Sequence, residues 1–283
     1  MDFGVFMFHT DYSMPIVDLA QACEARGFES LWAPEHSHIP LTRKTPFPGG
    51  TELPKMYYDA MDPFVILTAA AAATKKLKLG TGVCLIIQRD TIQTAKLAAS
   101  LDQVSGGRFL FGIGGGWNQD EMEDHGTVYA TRFKRMREQV EAMRAIWTDT
   151  KPEYHGEIVD FPPMMTWPKP KQQPLPIIVG GAFPHAARRA VRYGNGWIPI
   201  AGRANYGSFA EYFPVYKQML AEAGRSLAEA PITMFGAAEN HDQLMEYRDL
   251  GVARVVAGLP PENADKTLPV LDRWAELIGK VNS

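Results

Sequence analysis

Gly106-Gly107-Arg108-Phe109-Leu110-Phe111-Gly112-Ile113 places a glycine pair ahead of an apolar run too short for a helix. The same order returns at Gly27 before Glu29-Ser30-Leu31-Trp32-Ala33, at Gly194 before Gly196-Trp197-Ile198, and at Gly251 before Ala253-Arg254-Val255-Val256. Glycine suits the position after a helix because it adopts positive φ without penalty. Ahead of Gly27, Ser13 is placed as an N-cap and Pro15 in the first turn, and Ile16, Leu19, Ala20 and Cys23 follow at helical spacing. Helix, glycine, strand is the punctuation of a βα repeat. Eight strands are expected, around Val5, Leu31, Leu79, Leu110, Ile178, Trp197, Thr233 and Val255, each followed by a helical pattern. The clearest helical stripe is Phe133, Met136, Val140, Met143 and Trp147. Eight units in 283 residues leave about 35 residues each, the size of a βα module. The predicted class is therefore α/β, a (β/α)8 TIM barrel. A doubly wound sheet, the competing architecture, uses fewer strands and needs no closure.

Two stretches interrupt the repeat, one after strand 2 and one before strand 5. Ser37 to Met61 is rich in Pro and Gly. Lys151 to Pro176 carries a small hairpin at Tyr154-His155-Gly156-Glu157-Ile158, then Pro162, Pro163, Pro168, Pro170, Pro174 and Pro176. Connections this long in a compact domain are usually lids or binding loops, so Ser37–Met61 and Pro162–Pro176 are both expected to shape a substrate pocket. No linker separates differently patterned halves, and residues 1–283 are expected to form a single domain.

Composition narrows the functions. Hydrophobic residues make up 46% of the chain and charged residues 22%, and 29 Lys+Arg against 32 Asp+Glu give a net charge of −3. These are globular proportions. Nucleic acid and an anionic membrane are not expected as partners, since both need a basic field. Cys23 and Cys84 stand outside any CxxC and form neither a disulfide framework nor a thiolate site. No basic segment leads into an apolar stretch at the amino end, and the most apolar run, Phe64 to Ala73, falls short of the roughly 20 residues of a membrane span. A soluble, cytoplasmic protein is expected.

In a barrel, chemistry sits just beyond the carboxyl ends of the strands. Those positions hold Phe8-His9-Thr10, Pro34-Glu35-His36-Ser37-His38, Gly80-Thr81-Gly82-Val83-Cys84-Leu85, Gly114-Gly115-Gly116-Trp117-Asn118 and Gly180-Gly181-Ala182-Phe183. Glycine clusters let backbone N–H groups surround an anion, and the helix after Gly180-Gly181 adds its dipole. The alternative is that each cluster only turns the chain, but two of them on neighbouring strands favour a phosphate-bearing ligand. Gly112-x-Gly114-x-x-Trp117 lacks the third glycine of a dinucleotide fingerprint. His36-x-His38 suggests a metal, yet His125, His155, His185 and His241 fall in or before helices or on the hairpin, so no metal is expected. His36 is a candidate for proton transfer near neutral pH, or equally a hydrogen-bonded packing residue.

Taken together, the strand-end motifs resemble the bacterial luciferase-like monooxygenase superfamily, and within it the short oxidoreductases that use the deazaflavin coenzyme F420. The resemblance rests on Leu31-Trp32-Ala33-Pro34-Glu35-His36, Leu79-Gly80-Thr81-Gly82-Val83, Gly107 through Asn118, Pro176-Ile177-Ile178-Val179-Gly180-Gly181 and Gly194-Asn195-Gly196-Trp197. It implies a flavin or deazaflavin in a cleft at the strand carboxyl ends. Glu35 and His36 match the acidic-His pair to which proton transfer is assigned, and are the expected catalytic residues. Gly82-Val83 matches a non-prolyl cis peptide behind the ring. Gly115, Gly116 and Asn118 match the ribityl-phosphate side, and Gly180, Gly181, Ala182 and Phe183 match the phosphate clamp. Many relatives carry a hydroxyl residue near the cis peptide, where this chain has Gly82 followed by Cys84 and Leu85.

Three functions follow from that resemblance. The favoured one is hydride transfer between bound coenzyme F420 and a small organic substrate. A second is an FMN-dependent monooxygenase that uses dioxygen and a partner flavin reductase, since no nucleotide fingerprint is visible. A third is a barrel that binds cofactor without turnover. The resemblance also implies a homodimer.

Overall fold

A computed structural model describes residues 1–50, 52–202 and 208–283; position 51, within the first excursion, lies outside them. Its first half runs β1 (Asp2–Phe6), α1 (Ile16–Ala25), β2 (Ser30–Ala33), α2 (Met56–Asp59), α3 (Pro63–Ala73), β3 (Lys78–Thr81), α4 (Thr91–Ser105), β4 (Phe109–Ile113), α5 (Gln119–Asp124) and α6 (Arg132–Thr148). There follow β5 (Tyr154–His155), β6 (Asp160–Phe161), β7 (Ile177–Gly180), α7 (His185–Tyr193), β8 (Trp197–Ile198), α8 (Phe209–Glu222), β9 (Thr233–Ala237), α9 (His241–Leu250), β10 (Arg254–Gly258) and α10 (Ala264–Asn282). Parallel pairing orders eight strands β8-β7-β4-β3-β2-β1-β10-β9. Bridges Trp197–Ile232 and Ile200–Phe235, with Phe235 N–H donating to the Pro199 carbonyl at 2.9 Å, bring β8 against β9 and nearly close the ring. All eight expected strands are barrel staves, and β5 and β6 are the small hairpin.

Side chains alternate across each stave, as the period of 2 requires. Trp32, Leu110, Ile178, Ile198, Phe235 and Val256 fill the interior. Phe109 and Phe111 of β4 turn outward, toward Phe64 and Trp147. Trp32 is 1% exposed and donates from its indole N–H to Ser30 Oγ at 2.8 Å. A Cβ at Gly80 would overlap its ring, so the neighbouring stave is glycine for want of space.

The glycine punctuation has two physical causes. Gly27, Gly106 and Gly251 have φ of +79°, +74° and +93°, as expected after a helix. Gly194 has φ −92°, and a Cβ there would come 3.0 Å from both Ala190 Cα and Val179 Cγ2. Close approach, not handedness, selects it. Ser13 is not the α1 cap: its hydroxyl joins the Thr10 N–H and carbonyl at 3.0 and 2.9 Å. At the amino end of the barrel, Arg254 grips Glu29 with two hydrogen bonds of 2.7 and 2.6 Å, joining the start of β10 to the start of β2.

The two excursions go to opposite ends. Ser37–Met61 lies over the carboxyl ends of the strands: Thr45 Oγ1 donates to the Trp117 carbonyl at 2.8 Å, and Lys44 N–H donates to Asp120 at 2.6 Å. The proline-rich segment before β7 does not shape the pocket, contrary to expectation. It runs along the amino end, where Gln172 bonds Asp102 and the Phe109 carbonyl and Lys169 meets the Ile146 carbonyl at 2.5 Å. The reason is topological: α6 descends to the amino face and β7 starts there, so their connection stays on the side away from the site. No helix among the described residues is long and apolar enough to cross a membrane.

Candidate active site

A cavity of about 750 Å³ opens at the carboxyl ends of the strands. Its apolar wall is Gly82, Val83, Ile198, Ile200 and Phe235, and its opposite rim carries Arg132, His185 and Arg189. A recess of about 140 Å³ shares Gly82, Val83, Gly116 and Trp117 with it and is lined further by Glu35, His36 and Tyr57. The Gly82–Val83 peptide is cis. A Cβ at Gly82 would overlap the Phe235 ring, and one at Gly114 or Gly180 would meet the methyl groups of Val83. Three staves thus approach closely only because they carry no side chains there.

The polar rim is built for an anion. The backbone N–H groups of Gly115, Gly116, Ala182 and Phe183 have no acceptor among the described residues. The last two immediately precede α7, whose dipole adds positive potential. Arg132 and Arg189 lie on one ring, their guanidinium carbons 4.4 and 3.8 Å from the Phe133 centroid. Neither has a carboxylate partner, and the Nε of each is buried without an acceptor. Burial lowers the pKa of both, and for Arg189 the nearby Arg132 charge adds to the effect. Two cations that repel each other at the mouth of a glycine-lined cavity leave an unmet demand for negative charge. An apolar wall facing this rim fits a ring system that bears a phosphate.

His36 and Glu35, adjacent in sequence, have different partners. Glu35 is 6% exposed; its oxygens accept from Leu85 N–H at 2.7 Å and from Arg89 Nε at 2.5 Å. It holds the end of β2 to the chain after β3. His36 Nδ1 lies 2.7 Å from Glu121 Oε2, a carboxylate with no exposed side-chain surface, and Ser37 N–H donates to the other oxygen at 3.2 Å. The imidazole is flanked by Tyr57 and Trp117 at centroid distances of 5.3 and 5.9 Å. With the proton on Nδ1 toward Glu121, Nε2 is free to exchange one. His38 turns instead to the rim, with Ser37 and Asp124. Among the described residues no group of three or more His, Cys, Asp or Glu side chains is placed to hold a metal ion.

Gly82, Val83, Gly115, Gly116, Gly180, Gly181 and Ala182 come together around the cavity. Two expected residues do not line it. Asn118 is 1% exposed, with both amide atoms unpartnered, and Phe183 stacks on Tyr212 at 5.4 Å. Glu121, Arg132 and Arg189 were not foreseen. One signal was readable: α6 opens on Arg132 with no acidic residue in its first turn, against the helix dipole. Glu121 is one of four acidic residues within Asp120–Asp124, and nothing local sets it apart.

This barrel and site define a class, and the sequence comparison supplies its family. Residues 1–274 match the luciferase-like monooxygenase model, and the chain belongs to that family, whose members are oxidoreductases or monooxygenases. It is 36% identical over 283 residues to an uncharacterized protein of Mycobacterium tuberculosis, covering 97% of this chain and 98% of that one. It is 24% identical over 225 residues to an F420-dependent glucose-6-phosphate dehydrogenase of Amycolatopsis mediterranei, covering 77% and 63%. Among solved structures, the monooxygenase RslO1 from Streptomyces bottropensis superposes with a TM-score of 0.80 at 20% identity, covering all of both chains. Other proteins of the same fold use coenzyme F420 or bind FMN.

Proposed function

We propose that the protein is an F420-dependent oxidoreductase that passes hydride between the deazaflavin and a small organic substrate in the cytoplasm. The observation that carries this reading is the pairing of a glycine-walled apolar cavity with unpaired amides and guanidinium groups at one end and His36 in the recess at the other. When bound, the deazaflavin supplies reversible hydride exchange at C5 of its ring. Gly82, Val83 and Phe235 would back the ring, and Gly115, Gly116, Gly181, Ala182, Arg132 and Arg189 would hold the phosphate. His36, held by Glu121, would take the proton released from an oxidised substrate or return it in the reverse direction. Glu35, neutralised by Arg89, acts in this scheme as a positioning residue for the His36 segment.

The homodimer belongs to the same reading: α3 and α4 pack side by side and expose Val65 and Val104, apolar surface suited to a second copy. Parallel titrations of the apo-protein with coenzyme F420 and with FMN, followed by fluorescence, test the proposal. Tight binding of F420 alone supports it. Preference for FMN overturns it in favour of an oxygen-using monooxygenase served by a separate reductase, and binding of neither removes both.

A further inference from the structure

The recess beside His36 is walled by aromatic rings that close a circuit. His36 meets Tyr57 at a centroid distance of 5.3 Å, Tyr57 meets Phe47 at 5.0 Å, Phe47 meets Trp117 at 5.4 Å, and Trp117 returns to His36 at 5.9 Å. Phe8 packs on Tyr57 at 4.5 Å and lines the same space. Phe47 and Tyr57 belong to the Ser37–Met61 excursion, so half of the circuit comes from a connection rather than a stave. Phe47 lines the recess and not the larger cavity. At about 140 Å³ the recess compares with apolar cavities of about 150 Å³ that hold a benzene ring.

Charge is segregated between the two spaces. Arg132, His185 and Arg189 line the cavity, whereas no Lys or Arg lines the recess. Glu35 and Glu121, the carboxylates beside His36, already have their donors: Arg89 and Leu85 N–H for the first, the His36 ring and Ser37 N–H for the second. An anion entering the recess loses its hydration and gains no cation, and an ammonium finds no unpaired carboxylate. One donor is unmet: Trp117 lines the recess, and its indole N–H is buried without an acceptor. His36 Nε2, on the ring edge away from Glu121, accepts or donates according to its protonation. A fixed donor beside a group of either role matches a hydroxyl or carbonyl oxygen.

We infer that the recess takes a small uncharged alcohol, or the carbonyl compound it gives, whose apolar body has about six carbons, and that Phe47 sets its size. This rests on the proposed hydride transfer. In the oxidation the carbinol C–H bond breaks as hydride passes to the oxidised deazaflavin, the O–H bond breaks as its proton passes to His36, and the C–O bond becomes double. The alcohol loses two electrons and the cofactor gains them. The recess discriminates against carboxylates and sugar phosphates.

The test is calorimetric titration of cyclohexanone into the full chain, alone and loaded with oxidised F420, where the ketone binds without turnover. Cyclohexanecarboxylate, cyclohexylammonium and glucose 6-phosphate then compete for the same site. The ketone should bind, and each charged compound should displace it at least about 100-fold less well. Trp117→Phe should lower cyclohexanone affinity about tenfold while benzene affinity holds. Phe47→Ala should shift preference toward the bicyclic 2-decalone by about tenfold with F420 affinity unchanged, its melting temperature checking the fold. No binding of cyclohexanone, or a charged compound that competes on equal terms, overturns the substrate class; an unchanged size preference in Phe47→Ala overturns the role of that ring. Cyclohexanone bound by a chain that takes up no F420 overturns the deazaflavin reading and leaves the recess assignment standing.

Discussion

His36 Nδ1 lies 2.7 Å from Oε2 of Glu121, and the two residues are 85 positions apart in the chain. Glu121 sets the tautomer and orientation of the imidazole and is itself held by Ser37 N–H. Replacing Glu121 by Gln keeps the shape but removes the carboxylate that orients the ring through Nδ1. Turnover is expected to fall about 100-fold while cofactor affinity stays within about threefold. Steady-state kinetics beside a binding titration separates the two. Turnover within threefold of wild type would show that Glu121 serves only the fold.

The anion rim makes a separable prediction. Arg189→Ala removes an unpaired guanidinium, and Gly181→Asp brings a negative side chain to a residue whose φ is +129°. Each should weaken cofactor binding by about 10- to 100-fold, the worth of a charged hydrogen bond. Unchanged affinity in both variants sinks the phosphate assignment.

Stability at low pH reports on Glu29. Burial alone would raise its pKa, but the hydrogen bonds and charge of Arg254 outweigh it and hold the carboxyl down to about 2. A depressed carboxylate stabilises the fold fully above its unfolded pKa of 4.5, and the contribution is lost as pH falls toward 2. Arg254→Ala should cost about 1.5–3 kcal/mol at neutral pH by removing two charge-assisted hydrogen bonds and leaving Lys78 as the remaining cation on the Glu29 carboxylate. Urea unfolding across pH should show wild type and variant converging in acid; parallel curves would contradict the ion-pair account.

His9 gives a second acid response at higher pH. It is 5% exposed, its Nδ1 has no partner, and burial lowers its pKa to about 4. The unfolded chain therefore binds the extra proton from about pH 6.5 downward, before the folded one does. Stability is full above 6.5, declines as pH falls toward 4, and the loss reaches up to about 3 kcal/mol. His9→Asn should flatten that interval specifically. Identical slopes between pH 6.5 and 4 in the two proteins would refute it.

Much of the architecture was legible because it is written in short-range periodicity. Apolar runs of four or five residues, helical stripes and glycines between them are local signals, and eight repeats leave few closed arrangements. The glycine clusters were readable for the same reason. Ser13 misled because a serine before a proline-led helix serves equally well in a turn, and the Thr10 backbone claimed its hydroxyl.

The chain by itself determined the staves, their order and the placing of Gly82, Gly115 and Gly180 at strand ends. Only the tertiary structure decided which acid meets His36, which arginines converge on Phe133, and that the proline-rich segment passes beneath the barrel. Glu35 was the nearer acid in sequence, yet Arg89 and Leu85 N–H claim it, while α5 delivers Glu121 from the next stave but one. Strand and helix formation depends on neighbours a few residues away. Partnership between buried charges depends on where barrel closure places residues distant in sequence, and on which pairing leaves no buried charge unmet.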